Sequence, residues 1–149
     1  MTYEERVQDL FSVDDSYCLA HCISADFNMG KGIVTEFDRR FGIGAQLRAA
    51  QPGYAAHFRE SGMTHDCIRT GRVFNLVTKE RYSCRPTYAS LRGALESMRD
   101  QCLESGVTKI AMPVIGCGLD RLKWEKVRAM IGEVFASAPV EILICIRGE

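Results

Sequence analysis

The segment VEILICI, residues 140–146, is apolar at nearly every position and has no face to give to water. A strand of that kind belongs inside a sheet covered on both sides, the usual situation of parallel strands flanked by helices. Upstream, strand-like and helix-like segments interleave. RVQDLF (6–11) and YCLAHCIS (17–24) read as short β segments. GIVTEFDRRF (32–41) carries Ile33, Val34, Phe37 and Phe41 near helical spacing and ends near Gly42. Residues 44–65 read as a helix followed by a loop. DCIRTGRVFNLVTKE (66–80) reads as two short strands with a turn near Thr70 and Gly71. RPTYASLRGALESMRDQCLESG (85–106) is a helix that Thr87 can cap and Gly106 can end, with Tyr88, Leu91, Leu95, Met98 and Cys102 on one face. TKIAMPV (108–114) is a buried strand. A final helix after Asp120 places Val127, Met130, Ile131, Val134 and Phe135 together. Strands alternating with helices define an α/β sandwich with a largely parallel sheet.

At 149 residues with 46% hydrophobic and 26% charged residues, the chain suits one globular domain spanning 1–149. Formal net charge is zero, which argues against broad capture of nucleic acid or anionic membrane. No apolar run approaches the roughly 18 residues of a membrane span. MTYEERVQDLF places acids where a signal peptide would be basic and then apolar, so an intracellular, soluble protein is expected. Seven cysteines without a paired framework read as reduced thiols. In CLAHC, Cys18 and Cys22 share one face of a strand while His21 points to the other, so no metal site is expected.

Two strand-to-helix joins carry paired glycines: NMGKGI, with Gly30 and Gly32, and VIGCGLD, with Gly116 and Gly118. Each reads first as an ordinary tight turn. Together they allow a sharper reading. Helix starts offer free N–H groups and partial positive charge, and glycines let the backbone approach phosphates, so the pair could grip a nucleotide diphosphate. Neither is a Walker loop or a GxGxxG fingerprint. On pattern alone, Asp120 reads as a helix N-cap and Lys79 as a solvated lysine at a strand end.

The ordered motifs DLF, LAHCIS, MGKGI, VTK, PTY and MPVIGCGLDRLKWEKV resemble the macro domain family over nearly the whole chain. In detail they resemble the branch typified by the terminal ADP-ribose protein glycohydrolase. The resemblance implies a three-layer α/β/α sandwich with a mixed sheet of about six strands. It implies ADP-ribose as ligand and ADP-ribosylated protein as substrate, with no cofactor and no metal, in a monomer. Nucleic acid enters only as a modified substrate. Carried over by motif, Asp9 would meet the adenine amino group and Leu10 would lie beside that ring. Ser24 would contact the ligand. Gly30 and Gly32, with Val114, Ile115, Gly116, Cys117, Gly118 and Leu119, would cradle the diphosphate and distal ribose. Lys79 and Asp120 would be the catalytic pair. CISADFN stands where many macro domain hydrolases carry an asparagine-rich loop, which favours the lysine-using branch. Gln8 replaces the glycine that commonly precedes the adenine-side aspartate.

The chemistry implied is attack of a neutral lysine on the anomeric C1″, giving a lysyl–ADP-ribose intermediate. A free lysine has a pKa near 10.4, burial favours its neutral form, and an adjacent aspartate favours the ammonium. Asp120 therefore fits proton transfer and orientation of water. The alternatives are an ADP-ribose reader without hydrolysis, removal of ADP-ribose from nucleic acid bases or from O-acyl groups, and a generic nucleotide-binding module. Cys117, between two glycines, reads as a small residue unless its environment makes it reactive.

Overall fold

A computed structural model describes residues 1–117 and 120–148. Its six strands are β1 (Thr2–Val7), β2 (Cys18–Ser24), β3 (Asp66–Thr70), β4 (Val73–Lys79), β5 (Lys109–Met112) and β6 (Glu141–Ile146). Its helices are α1 (Val34–Phe41), α2 (Ile43–Ala50), α3 (Tyr54–Glu60), α4 (Tyr88–Ser105) and α5 (Trp124–Phe135). The strands form one sheet in the order β1-β6-β5-β2-β4-β3. Every pairing is parallel except β3 with β4, so the sheet is mixed.

The helices divide between the two faces because the strands are apolar on both. On one face α4 and α5 bury Leu91, Leu95, Met98, Val127, Ile131 and Phe135 against Phe74, Ile110 and Ile144. On the other, α1, α2 and α3 bury Phe37, Ile43, Leu47 and Phe58 against Leu19, Ile23, Val77 and Leu143. The result is the expected three-layer α/β/α sandwich, with VEILICI inside the sheet as β6. The long helix begins where the sequence placed it. Thr87 accepts from the Ser90 amide while Ser90 Oγ accepts from the Thr87 amide, and Gly106 closes the far end in the left-handed region.

Three expectations are corrected. The first strand is not RVQDLF but Thr2–Val7, an exposed and mostly polar segment. It is a sheet edge, where charged side chains are favoured because they discourage further pairing. Its inward residues are Tyr3, packed against the core, and Glu5, which accepts from Arg128 of α5 at 2.5 and 3.0 Å. Leu10, taken for strand, is buried by a single 3₁₀ turn, Leu10–Ser12. Residues 44–65 hold two short helices rather than one, separated by Gly53 at φ 72°. Asp120 does not cap a helix, because α5 starts only at Trp124, after Lys123.

Candidate active site

The carboxyl ends of β2, β4, β5 and β6 open onto one cavity of about 880 Å³. This is where ligands gather in open α/β sheets, since the strand ends and the following loops diverge there. Ser24 ends β2 and Lys79 ends β4, and the parallel register brings the two opposite each other. That register slips between Ile23 and Ser24, an irregularity of the kind that re-aims side chains beside sites.

Lys79 Nζ donates to Asp120 Oδ1 at 2.6 Å. The two side chains are 14% and 16% exposed, so the pair is largely enclosed yet opens onto the cavity. The chain positions Asp120 by closing its loop: the Leu122 amide bonds the Gly116 carbonyl at 2.6 Å. Gly116 is at φ 74°, and a Cβ there would lie 3.1 Å from Leu122 and 3.4 Å from Leu91. The glycine thus serves the turn and the packing behind it. Arg121, at φ 61°, and Phe27, at φ 55°, are the non-glycine residues at positive φ among those described, and both lie on loops that border the cavity.

Of the residues expected at the site, Ser24, Gly32, Lys79, Val114, Ile115, Gly116, Cys117 and Asp120 line this cavity. Gly30 is not in the lining, although its neighbours Asn28, Lys31 and Gly32 are, and its amide bonds Asn28 Oδ1 at 2.9 Å. Asp9 and Leu10 are outside the lining: the Asp9 carboxylate accepts from the Phe11 amide, and the Leu10 side chain is packed in the core. Gly118 and Leu119 fall outside the described residues.

The lining also includes residues that sequence reasoning missed. Lys31, Arg85, Arg121 and Arg147 line the cavity, and among the described residues none of them has a carboxylate partner. A chain of zero net charge thus gathers positive charge at one mouth, which suits a dianionic ligand. Tyr82, Ser83, Cys84 and Arg85 enter on the loop after β4, and Cys145, Ile146 and Arg147 at the end of β6. The strand-end rule is the signal that could have found both segments, since neither has a motif of its own.

Two of the thiols at the cavity, Cys22 and Cys117, are poor nucleophiles. Burial, and then the Asp120 carboxylate, push the Cys22 thiol up to about 12. Burial also raises Cys117, whose Sγ donates to the Ile115 carbonyl at 3.3 Å. Cys117 is therefore a small neutral residue. All seven cysteines are free. Among the described residues no group of three or more His, Cys, Asp or Glu side chains is placed to hold a metal, and no helix is long and apolar enough to cross a membrane.

A six-stranded mixed sheet between two helical layers, with a cavity over the strand ends and glycine loops beside it, defines a macro domain. The comparisons agree. No family model matches the chain. It is 44% identical over 137 residues to the human (Homo sapiens) ADP-ribose glycohydrolase OARD1, covering 91% of this chain and 86% of that protein. The macrodomain of Thermus aquaticus DarG superposes with a TM-score of 0.78 at 21% identity, over 97% of each chain. Thermosipho africanus DarTG, solved in complex with ADP-ribose, superposes with a TM-score of 0.73 at 16% identity, over 97% of this chain and 41% of that one. The chain belongs to the macro domain family, alongside the ADP-ribose glycohydrolase OARD1.

Proposed function

We propose that this protein, a single macro domain over 1–149, is an ADP-ribose glycohydrolase that removes ADP-ribose from acidic protein side chains. The carrying observation is the Lys79–Asp120 contact, nearly enclosed at the strand ends of an 880 Å³ cavity. The name of the 44% identical relative supports the activity, and the ADP-ribose bound to DarTG supports the ligand. Lys31, Arg85, Arg121 and Arg147 would neutralise the diphosphate, with Ser24, Gly30, Gly32 and residues 114–119 as its cradle. Asp9 and Leu10 would serve the adenine end.

In the reaction, Lys79 gives up a proton to Asp120, the acceptor already within hydrogen-bond distance. The neutral Nζ attacks C1″ of the distal ribose. The C1″–O ester bond breaks and the carboxylate of the target side chain leaves with the bonding pair. Asp120 passes its proton to the departing carboxylate, then takes one from a water that adds at C1″ as the C1″–Nζ bond breaks, and returns it to Nζ, so that free ADP-ribose and the lysine ammonium are regenerated. The protein works as a monomer on ADP-ribosylated proteins, without metal or cofactor. The half-buried Cys22 and Cys117 thiols, held neutral by desolvation, do not compete with Lys79 for the attack.

The test is a release assay on protein mono-ADP-ribosylated at glutamate, with serine-linked, nucleic-acid-base-linked and O-acetyl substrates beside it. Release from the glutamate ester is expected. Binding of ADP-ribose with no release from any substrate would make the protein a reader. Release from nucleic acid alone would move the substrate class.

A further inference from the structure

The loop between β2 and α1 is wound by side chains rather than by regular structure. The Asp26 carboxylate accepts from Ser24 Oγ at 2.5 Å and from the Asn28 amide at 3.0 Å, both on Oδ1. Asn28 Oδ1 in turn accepts from the Gly30 amide at 2.9 Å. These bonds are local. The other carboxylate oxygen is not: Oδ2 accepts from the Tyr82 amide at 2.9 Å, across 56 positions of sequence. Tyr82 lies three residues beyond Lys79. The Lys79 carbonyl itself accepts from the Ala25 amide at 2.9 Å. The segment leaving β4 is therefore fastened to the β2–α1 loop at residue 79 and again at residue 82. A turn closed by the Cys84 amide on the Arg81 carbonyl, at 3.0 Å, follows at once. Phe27 takes φ 55° beside Asp26, a costly conformation for a bulky residue, and is held there by burial and by stacking on Tyr54 at 5.1 Å. Burial opposes charge on Asp26, yet the hydrogen bonds from Ser24, Tyr82 and Asn28 keep its carboxyl below the usual range.

We propose that Asp26 is a positioning residue for the hydrolysis. Its carboxylate clasps the loop that follows Lys79 to the loop that carries Gly30 and Gly32, and so holds the attacking amine in register with the phosphate cradle. The inference rests on the hydrolase reading above. It explains why a carboxylate, with two acceptor oxygens, stands here: one oxygen winds its own loop while the other reaches the neighbouring one. An attacking group displaced by about 1 Å loses up to about a hundredfold in rate while substrate binding is largely kept.

Asp26→Asn breaks one arm selectively. If its remaining oxygen serves Ser24 and Asn28, its amide nitrogen confronts the Tyr82 N–H, donor against donor. Tyr82→Pro removes the same bond from the other side. Tyr82 follows Arg81 as the second residue of its turn and has negative φ, a position proline suits. Tyr82→Ala, which loses the ring and keeps the N–H, is the reference for Tyr82→Pro. With glutamate-linked ADP-ribosylated protein, Asp26→Asn is expected to lower kcat about tenfold or more. KM and the affinity for free ADP-ribose should stay within about threefold, as expected when only transition-state geometry is lost. Tyr82→Pro should reproduce that fall relative to Tyr82→Ala, and the double variant should be no worse than either single, because both remove one bond. Unchanged kcat in Asp26→Asn, additive losses in the double variant, or losses confined to KM or to melting temperature would overturn the clasp. Wild type without turnover overturns the hydrolase reading and the positioning role together, whereas active wild type with equally active variants overturns this proposal alone.

Discussion

Two polar pairs that share strand β4 are almost equally close and opposite in kind. Lys79 meets Asp120 at 2.6 Å at the mouth of the cavity. His21 and Asn75, cross-strand partners on β2 and β4, meet at 2.7 Å with both side chains sealed from solvent. Asn75 spends its amide hydrogens on the Ile68 carbonyl and Thr70 Oγ1, so its oxygen accepts from His21 Nε2 and the imidazole is neutral. Burial holds that histidine down at about 4, and its ring stacks on Phe37 at 3.8 Å. The interior accepts a hydrogen-bonded neutral pair at little cost, while a charged pair is kept only where solvent or ligand can reach it. We read the buried pair as structure and the Lys79–Asp120 pair as chemistry, and the difference can be tested.

The largest contrast is expected from Lys79→Ala. It should lower release of ADP-ribose by at least about 10³-fold, since the proposed nucleophile is gone, while calorimetry still shows ADP-ribose binding and the melting temperature stays close to wild type. Asp120→Ala should cost about 10²- to 10⁴-fold in turnover, as loss of a general acid–base does, with the fold retained because Asp120 caps no helix. A collapse of stability in place of activity would make this pair structural, like the other.

His21 gives the opposite signature, in stability rather than rate. Its folded pKa, about 4, lies below the unfolded value near 6.5. Above that value neither state binds the proton. Between the two, the unfolded chain takes a proton that the folded chain refuses, so unfolding is favoured as pH falls. The folded protein should lose about 3 kcal/mol across that window. Urea unfolding at a series of pH values checks it, and a flat profile over the window would mean that His21 is reached by water.

Smaller effects belong to the frame that holds Lys79 and Asp120. Gly116→Ala forces a side chain into the left-handed region and against Leu122, and should cost about 2 kcal/mol by denaturant titration. Thr87→Ala removes the cap of α4 and should cost about 1 kcal/mol by the same measurement.

How much of this was legible depended on whether a residue's role was local. The α4 helix announced both its ends, because Thr87 and Gly106 act on backbone within a few residues. VEILICI announced its burial because both of its faces are apolar. TYEERV was missed because an edge strand is stabilised by backbone bonds to β6 and by the reach of Arg128 to Glu5, neither of which leaves an apolar pattern. At the site, Lys79 and Asp120 stood out only through a family motif. By pattern Asp120 is a cap, and only the loop closed between Gly116 and Leu122 separates it from the helix. The cluster Lys31, Arg85, Arg121 and Arg147 was invisible because four loops far apart in sequence bring it together. Asp26 carried a local signal, the spacing of Asp26, Asn28 and Gly30 that suits successive side-chain turns, yet its partner Tyr82 lies on another loop.

The most direct test of the Lys79–Asp120 assignment is to catch the intermediate. Asp120→Ala protein is incubated with glutamate-linked ADP-ribosylated substrate, reduced with borohydride to fix any lysyl adduct, and digested for peptide mass spectrometry. One ADP-ribosyl group on Lys79, accumulating in Asp120→Ala, where solvent can still take the lysine proton but no carboxylate directs water to C1″, and transient in wild type, is the expected result. Release by wild type with no adduct on Lys79 under any of these conditions would contradict a lysine nucleophile and assign the attack on C1″ to water.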